Sequence, residues 1–305
     1  MYSLVLGTSG LGADDRDAAL ATATALLCSG HLIDTSNAYA GGESERVLGR
    51  ALDGLPRAER TVAADRILTK VDADPATGAF DAHRVRRSAE ESRERLGVDR
   101  LRMLHLHDPY GVTVDEAFAP GGAVEALVEL RESGVAQAIG IAAGPIPLLR
   151  RYVESGVFDA VLCHNRWTLV DRSAGDLFAA AHAWGMTVFN AAPYGGDLLV
   201  KGARPGARYA YRPIDDALST WTEALFAVCA DHRVPPASVA LAFSARSPHV
   251  DHTIVGVSSP ERLAELQALA AVAIPDGLWA AIDELGPAPT PIDDAADRRG
   301  HGDLS

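Results

Sequence analysis

The sequence predicts a (β/α)8 barrel, an α/β fold, and three observations carry that reading. Eight short apolar runs recur along the 305 residues. Between them lie longer Ala-, Leu-, Glu- and Arg-rich segments with helical spacing, the pattern of βαβ units and a parallel sheet. Eight such units in about 290 residues match the size of a closed barrel. The alternative, a doubly wound sheet, carries Gly-x-Gly-x-x-Gly behind its first strand. Here that place holds Gly7-Thr8-Ser9-Gly10-Leu11-Gly12, whose spacing differs.

In chain order, the expected strands are 3–7, 31–34, 66–70, 102–107, 138–141, 160–165, 187–191 and 253–257. Expected helices are 15–29, 44–52, 81–96, 123–133, 146–155, 173–184 and 260–271. Two more helical stretches, 214–232 and 275–285, exceed one helix per strand and are expected outside the barrel. Residues 1–289 then form a single barrel domain. The Asp-, Arg- and Gly-rich end, 290–305, is expected to be a disordered tail.

Composition narrows the partners. Hydrophobic residues make up 48% and charged residues 23%, which excludes a disordered or fibrous chain. The net charge of −13 repels phosphate backbones and anionic membranes, so neither nucleic acid nor a membrane is the expected partner. Cys28, Cys163 and Cys229 are odd in number and widely spaced, against a disulfide framework or a Cys-based zinc site. No basic leader and no long apolar run occurs, so a cytoplasmic protein is expected. Composition does not determine the oligomeric state.

In a barrel the active site lies where the strands end. The second, third and fourth strands end in Asp34, Lys70 and His107. Side chains alternate along a strand, so these three converge on one mouth if the barrel closes. A buried Asp–Lys pair costs several kcal/mol of desolvation, which points to function more than to stability. The three asparagines, Asn37, Asn165 and Asn190, follow or end strands on the same expected face. The segment from Gly195-Gly196 to Pro213 carries Lys201, Arg204, Arg208 and Arg212 against Asp197, a local cation excess that suits an anion such as a pyrophosphate, or simply a solvated loop. Ser258, Ser259 and Arg262 open the helix after the eighth strand, a common phosphate site in barrels and equally an ordinary helix start. His105 and His107 share a strand face and could ligate a metal, although one core and one catalytic histidine is the simpler reading. No metal ligand set is assigned.

Leu32-Ile33-Asp34-Thr35-Ser36-Asn37-Ala38-Tyr39, followed by Gly41-Gly42-Glu43-Ser44-Glu45-Arg46-Val47-Leu48-Gly49, closely resembles the aldo-keto reductase signature. Leu68-Thr69-Lys70, Leu106-His107-Asp108-Pro109 and Gln137 through Ile141 resemble that family's third, fourth and fifth strands. Asn165 through Leu169 and Asn190 through Gly195 are most similar to its sugar (threo-aldose or fucose) and pyridoxal dehydrogenase branch.

The resemblance implies a catalytic tetrad of Asp34, Tyr39, Lys70 and His107. Tyr39 then serves as general acid or base for a carbonyl or alcohol. Lys70 lowers its pKa, Asp34 holds Lys70, and His107 donates a hydrogen bond to the substrate oxygen. It also implies NADP or NAD as cofactor, with a slight preference for NADPH, and a small carbonyl or polyol substrate. The implied cofactor contacts are Gly7, Thr8, His164, Asn165, Asn190, Pro193, Tyr194, Gly195, Gly196, Leu198, Ser258 and Arg262. Four places depart from the family pattern. Ala142-Ala143 replaces the Ser-Asn after strand five, His164 the Gln of strand six, Ala191 the stacking tyrosine, and Gly256 a lysine. The N-terminal hairpin under the barrel is reduced or absent. Those departures keep a second reading open, a lyase, dehydratase or cyclase using the same tetrad for proton transfer. A metal-dependent hydrolase on His105 and His107, and a non-catalytic sensor of nicotinamide redox state, are further alternatives.

Overall fold

A computed structural model describes residues 3–12 and 16–294. Expectations that fall on residues 1–2, 13–15 and 295–305 lie outside the described residues. These include most of the expected disordered tail and the first residue of the first expected helix.

The chain begins with β1 (Leu4–Gly7), α1 (Arg16–Cys28), β2 (Leu32–Asp34), α2 (Glu43–Asp53), α3 (Arg57–Ala64) and β3 (Ile67–Val71). It continues with α4 (Ala82–Leu96), β4 (Leu101–His107), α5 (Val114–Phe118), α6 (Ala123–Glu132), β5 (Ala136–Ala143) and α7 (Ile146–Glu154). Then come β6 (Ala160–His164), α8 (Gly175–Ala183), β7 (Thr187–Ala191), α9 (Leu198–Lys201) and a small hairpin of β8 (Arg208–Tyr209) and β9 (Arg212–Pro213). The last elements are α10 (Asp216–Asp231), α11 (Pro236–Ala245), β10 (His252–Gly256), α12 (Pro260–Ala270) and α13 (Asp276–Glu284).

Eight parallel strands close in the order β1-β10-β7-β6-β5-β4-β3-β2, the (β/α)8 barrel that the sequence predicts. No strand precedes Leu4 among the described residues. Alternation sorts every strand. Val5, Leu68, Met103, Ala142, Ala160, Leu162, Phe189 and Ile254 fill the barrel interior. Leu6, Ile33, Val71, Leu104, Leu106, Ile139, Ile141, Val161 and Val188 face the helices and join the main core. Gly140 leaves room for the His105 ring, because a Cβ there would lie 2.4 Å from His105 Cδ2.

The helix between β7 and β10 on the barrel wall is α11, which the sequence reading missed. Its Val239, Ala240, Leu241 and Ala242 are all buried, so it carries no one-sided apolar stripe. The expected outer helices are α10 and α13, which bury Leu218, Leu225, Leu278 and Ile282 in a second cluster beside the barrel. Of the tail segment, Thr290–Asp294 are described and packed. Thr290 Oγ1 donates to Asp171 Oδ2 at 2.7 Å, and Asp294 pairs with Arg166 and accepts from Ile146 N.

Candidate active site

The last inward residue of each barrel strand is Gly7, Asp34, Lys70, His107, Ala142, His164, Ala191 or Gly256, and all eight line one cavity of about 300 Å³. Tyr39, Asp108, Leu162, Ala192 and Tyr211 complete most of its wall. Lys70 Nζ stands 2.8 Å from both oxygens of Asp34, 2.7 Å from Thr35 O and 3.1 Å from Tyr39 Oη. The ammonium is 1% exposed, so its charge is held entirely by these partners.

Tyr39 reaches the cavity because the chain after β2 is pinned. Thr35 N donates to Leu68 O and Asn37 N to Lys70 O. Ser44 and Glu45 then bind the start of α2 to this loop: Thr35 Oγ1 and Ser44 Oγ lie 2.9 Å apart, and Glu45 accepts from Thr69 at 2.6 Å. The Ser-Glu pair of the signature therefore acts by anchoring the tyrosine loop to β3.

Lys70 does pull the Tyr39 phenol down as expected, but it is not the largest influence. Burial pushes the Tyr39 phenol up to about 12, outweighing the pull of Lys70, and Asp34 and Asp72 add to the rise. At neutral pH Tyr39 is therefore a protonated donor. Lys70 keeps its charge, because Asp34 and Tyr39 more than offset the burial that works against it. His105, buried beneath the site, is pushed down to about 3 by burial and then by Lys70 and His107. It is a neutral core residue packed edge-on against Phe189.

His107 has a partner that the sequence did not indicate. Asp72 Oδ1 lies 2.6 Å from His107 Nδ1, while Asp72 Oδ2 accepts from Ala38 N at 3.0 Å and from Ser36 Oγ. Asp72 stands just past β3 and belongs to no recognisable motif. Its only sequence cue is a position two residues beyond Lys70, on the same side of the chain. Asp108 sits between two imidazoles, 3.8 Å from His107 Nε2 and 3.6 Å from His164 Nε2. Burial works against its charge, yet His164 and His107 hold its carboxyl below the usual range.

A sequence profile described as the aldo/keto reductase family matches residues 3–287. The chain belongs to the aldo/keto reductase family. It is 33% identical over 279 residues to D-threo-aldose 1-dehydrogenase of a Pseudomonas species, covering 85% of this chain and 84% of that protein. It is 26% identical to pyridoxal 4-dehydrogenase of Microbacterium luteolum, covering 93% of this chain and 94% of the relative. The holo form of an aldo-keto reductase from Bacillus halodurans superposes with a TM-score of 0.76 at 23% identity, over 94% of this chain and 93% of that one. The family and the two named relatives support an oxidoreductase, and the solved structure supports the fold.

The remaining expected contacts of this aldo-keto reductase divide by strand parity. Gly7 and His164 line the cavity, and Asn165 lines an adjoining one of about 240 Å³ with Tyr110, Tyr211 and Ile292. Asn190 is turned away. Its neighbours Phe189 and Ala191 face inward, so its amide faces the helices and donates to Trp167 O at 2.8 Å and Ser244 Oγ at 2.7 Å. Asn37 is likewise consumed by Ser88, Glu91 and Arg84. Thr8 is buried, and its hydroxyl donates to Asp34 O. Leu198 is core in the second cluster.

Pro193, Tyr194, Gly195 and Gly196 form the turn between β7 and α9. Gly195, with φ of +60°, receives the Tyr209 ring where a Cβ would stand 2.3 Å from it. Ser258 and Arg262 lie on the exposed rim where α12 begins, and Arg262 is paired with Glu265 at 2.7 Å. The cation-rich loop is partly neutralised, because Asp197 takes both Lys201 and Arg204. Arg208 donates to Tyr211 O and Arg212 to Pro291 O. Tyr211, 80% exposed at the hairpin tip, overlooks both cavities. No helix among the described residues is long and apolar enough to cross a membrane.

Proposed function

We propose that this protein is an NAD(P)(H)-dependent aldo-keto oxidoreductase. Its substrate is a small aldehyde, a ketone or a sugar lactol, with Tyr39 as general acid and base. The observation that carries the reading is the Asp34–Lys70–Tyr39 chain, with contacts of 2.8 and 3.1 Å, ending on a phenol in the cavity wall beside His107.

The residues present fit a nicotinamide. Gly256 lines the cavity, and a Cβ there would meet nothing within 4 Å, so the absence of a side chain keeps the mouth open. Ala142, Ala191, Ala192 and Leu162 give a low apolar wall beside it. His164 and Asn165 are the polar groups that would hold the carboxamide. When bound, the nicotinamide supplies or accepts the hydride.

The chain's own residues manage the proton and the charge. Tyr39 hands its proton to the oxygen of a reduced carbonyl and takes it back from an alcohol. Lys70 stabilises the phenolate that forms, and Asp34 keeps Lys70 in place. His107 stabilises the developing oxyanion from the other side. Asp108, His164 and Asn165 give the mouth a polar flank that suits a hydroxylated substrate, in keeping with the relative named for threo-aldoses.

Fluorescence titration with NADH and NADPH side by side tests this reading. Saturable binding of one or both is expected, with NADPH the tighter if Arg262 leaves Glu265 for a 2′-phosphate. Binding of neither, with substrate converted without nucleotide, favours the lyase, dehydratase or cyclase reading, which the turned-away Asn190 amide keeps open.

A further inference from the structure

We infer that Asp72 is a positioning residue that locks a proton on His107 Nδ1, so that His107 can donate to a substrate oxygen only as the imidazolium. The inference rests on the reading above for its kinetic consequence, but not for its structural content.

Asp72 is surrounded by donors. Ala38 N donates to Oδ2 at 3.0 Å, and Ser36 Oγ donates to the same oxygen. The other oxygen faces His107 Nδ1 at 2.6 Å. A carboxylate offers only acceptors, so the nitrogen facing it must carry the proton. The rest of the residue is equally fixed: Asp72 N donates to Ser88 Oγ at 3.1 Å, and Asp72 O accepts from Arg84 Nε at 2.8 Å. With one proton committed to Nδ1, a neutral His107 turns a lone pair from Nε2 toward the cavity. That lone pair opposes a carbonyl oxygen, and it opposes an alcohol oxygen whose proton is directed to Tyr39. Productive hydrogen bonding from Nε2 therefore requires the second proton.

Charged and titratable groups face the ring from several elements. Asp72 closes one side, and Asp108, at 3.8 Å from Nε2, lies on the other. Tyr39 from the loop after β2 meets the ring edge-on at 5.9 Å between centroids, and Lys70 lies 4.6 Å from the centre of that tyrosine ring. Asp34 holds Lys70, His105 sits one inward position below, and His164 flanks Asp108.

Asp72→Asn is diagnostic because of how its amide must sit. Ala38 N–H can only donate, so the amide oxygen stays where Oδ2 was, and the NH2 group takes the place facing His107 Nδ1. A donor there reverses the ring: Nδ1 becomes the acceptor, and the neutral imidazole carries its proton on Nε2, toward the substrate.

The experiment is histidine-selective 15N NMR of the full-length protein, with His107→Gln used to assign the signal, together with pH profiles of kcat and KM. In wild-type protein neutral His107 should show the Nδ1–H form, and turnover should fall at alkaline pH as the ring loses its second proton. In Asp72→Asn the neutral ring should show the Nε2–H form and the alkaline fall should vanish. On the acid side of that fall, where the wild-type ring is charged, kcat of the variant should be about 10-fold lower, the difference between a charge-assisted and a neutral hydrogen bond, with KM little changed. Neutral wild-type His107 with its proton on Nε2 would overturn the inference, and so would an alkaline limb unchanged in the variant. Should the variant fail to fold, the wild-type spectrum decides alone. A protein with the Nδ1–H form but no nicotinamide-dependent turnover would refute the proposed function and leave the tautomer assignment standing.

Discussion

At the scale of single residues, the site depends on a charge pair that water does not reach. Lys70 and Asp34 are both nearly inaccessible, and such a pair is costly to leave half-made. Lys70→Met should lower the unfolding free energy by about 3–5 kcal/mol, measured by urea denaturation. The double variant with Asp34→Asn should recover most of that loss. A single variant as stable as wild type would contradict the geometry described here. The convergence of Asp34, Lys70 and His107 at the barrel mouth was legible because each closes an apolar strand at an inward position. Tyr39 was legible only through its motif. Asn190 was misplaced because nearness to the strand end was weighed without parity, and parity sends it outward between Phe189 and Ala191. Asp72 was invisible for a different reason. Its function is set by a histidine 35 residues away in sequence, and nothing local marks it.

At the scale of elements, the β8–β9 hairpin joins a buried anchor to an exposed tip beside the cavities. Tyr209 is fully buried, and its hydroxyl shares hydrogen bonds with Thr168 Oγ1 and Asn165 O, each at 2.8 Å. Ala210 and Tyr211 form the tip with φ values of +47° and +69°, a conformation that non-glycine residues adopt at a cost and that clusters at functional sites. Tyr209→Ala should cost about 3–5 kcal/mol through the cavity it leaves, and KM should rise as the hairpin loosens. Tyr211→Ala should leave stability within about 0.5 kcal/mol, as expected of an exposed side chain, yet still raise KM several-fold. Thermal melts paired with steady-state kinetics distinguish the two. A Tyr211 variant with unchanged KM would remove that residue from the pocket. The barrel elements were readable because each strand is a short apolar run between helices. The wall helix α11 was not, since burial on all sides erases the periodic stripe on which such reading depends.

At the scale of the whole molecule, the barrel interior is graded from apolar bottom to ionised mouth, with His105 at the boundary. Held neutral and pushed down to about 3, it takes up a proton in the unfolded chain near its ordinary value of about 6.5 but not in the folded one. Between those two values the unfolded state binds more protons, so stability falls as pH falls, by up to about 1.4 kcal/mol per pH unit for this one group. His105→Gln should flatten the acid side of a stability–pH curve relative to wild type. Parallel curves would show that His105 is not the titrating group.

The central claim is that a phenol at the barrel mouth moves the proton while a nicotinamide moves the hydride, and Tyr39→Phe tests it most directly. Nucleotide binding by fluorescence should stay within a few-fold of wild type, while turnover of a small aldehyde or lactol falls by about 10²–10⁴-fold. Undiminished turnover in the variant, with binding intact, would contradict the account.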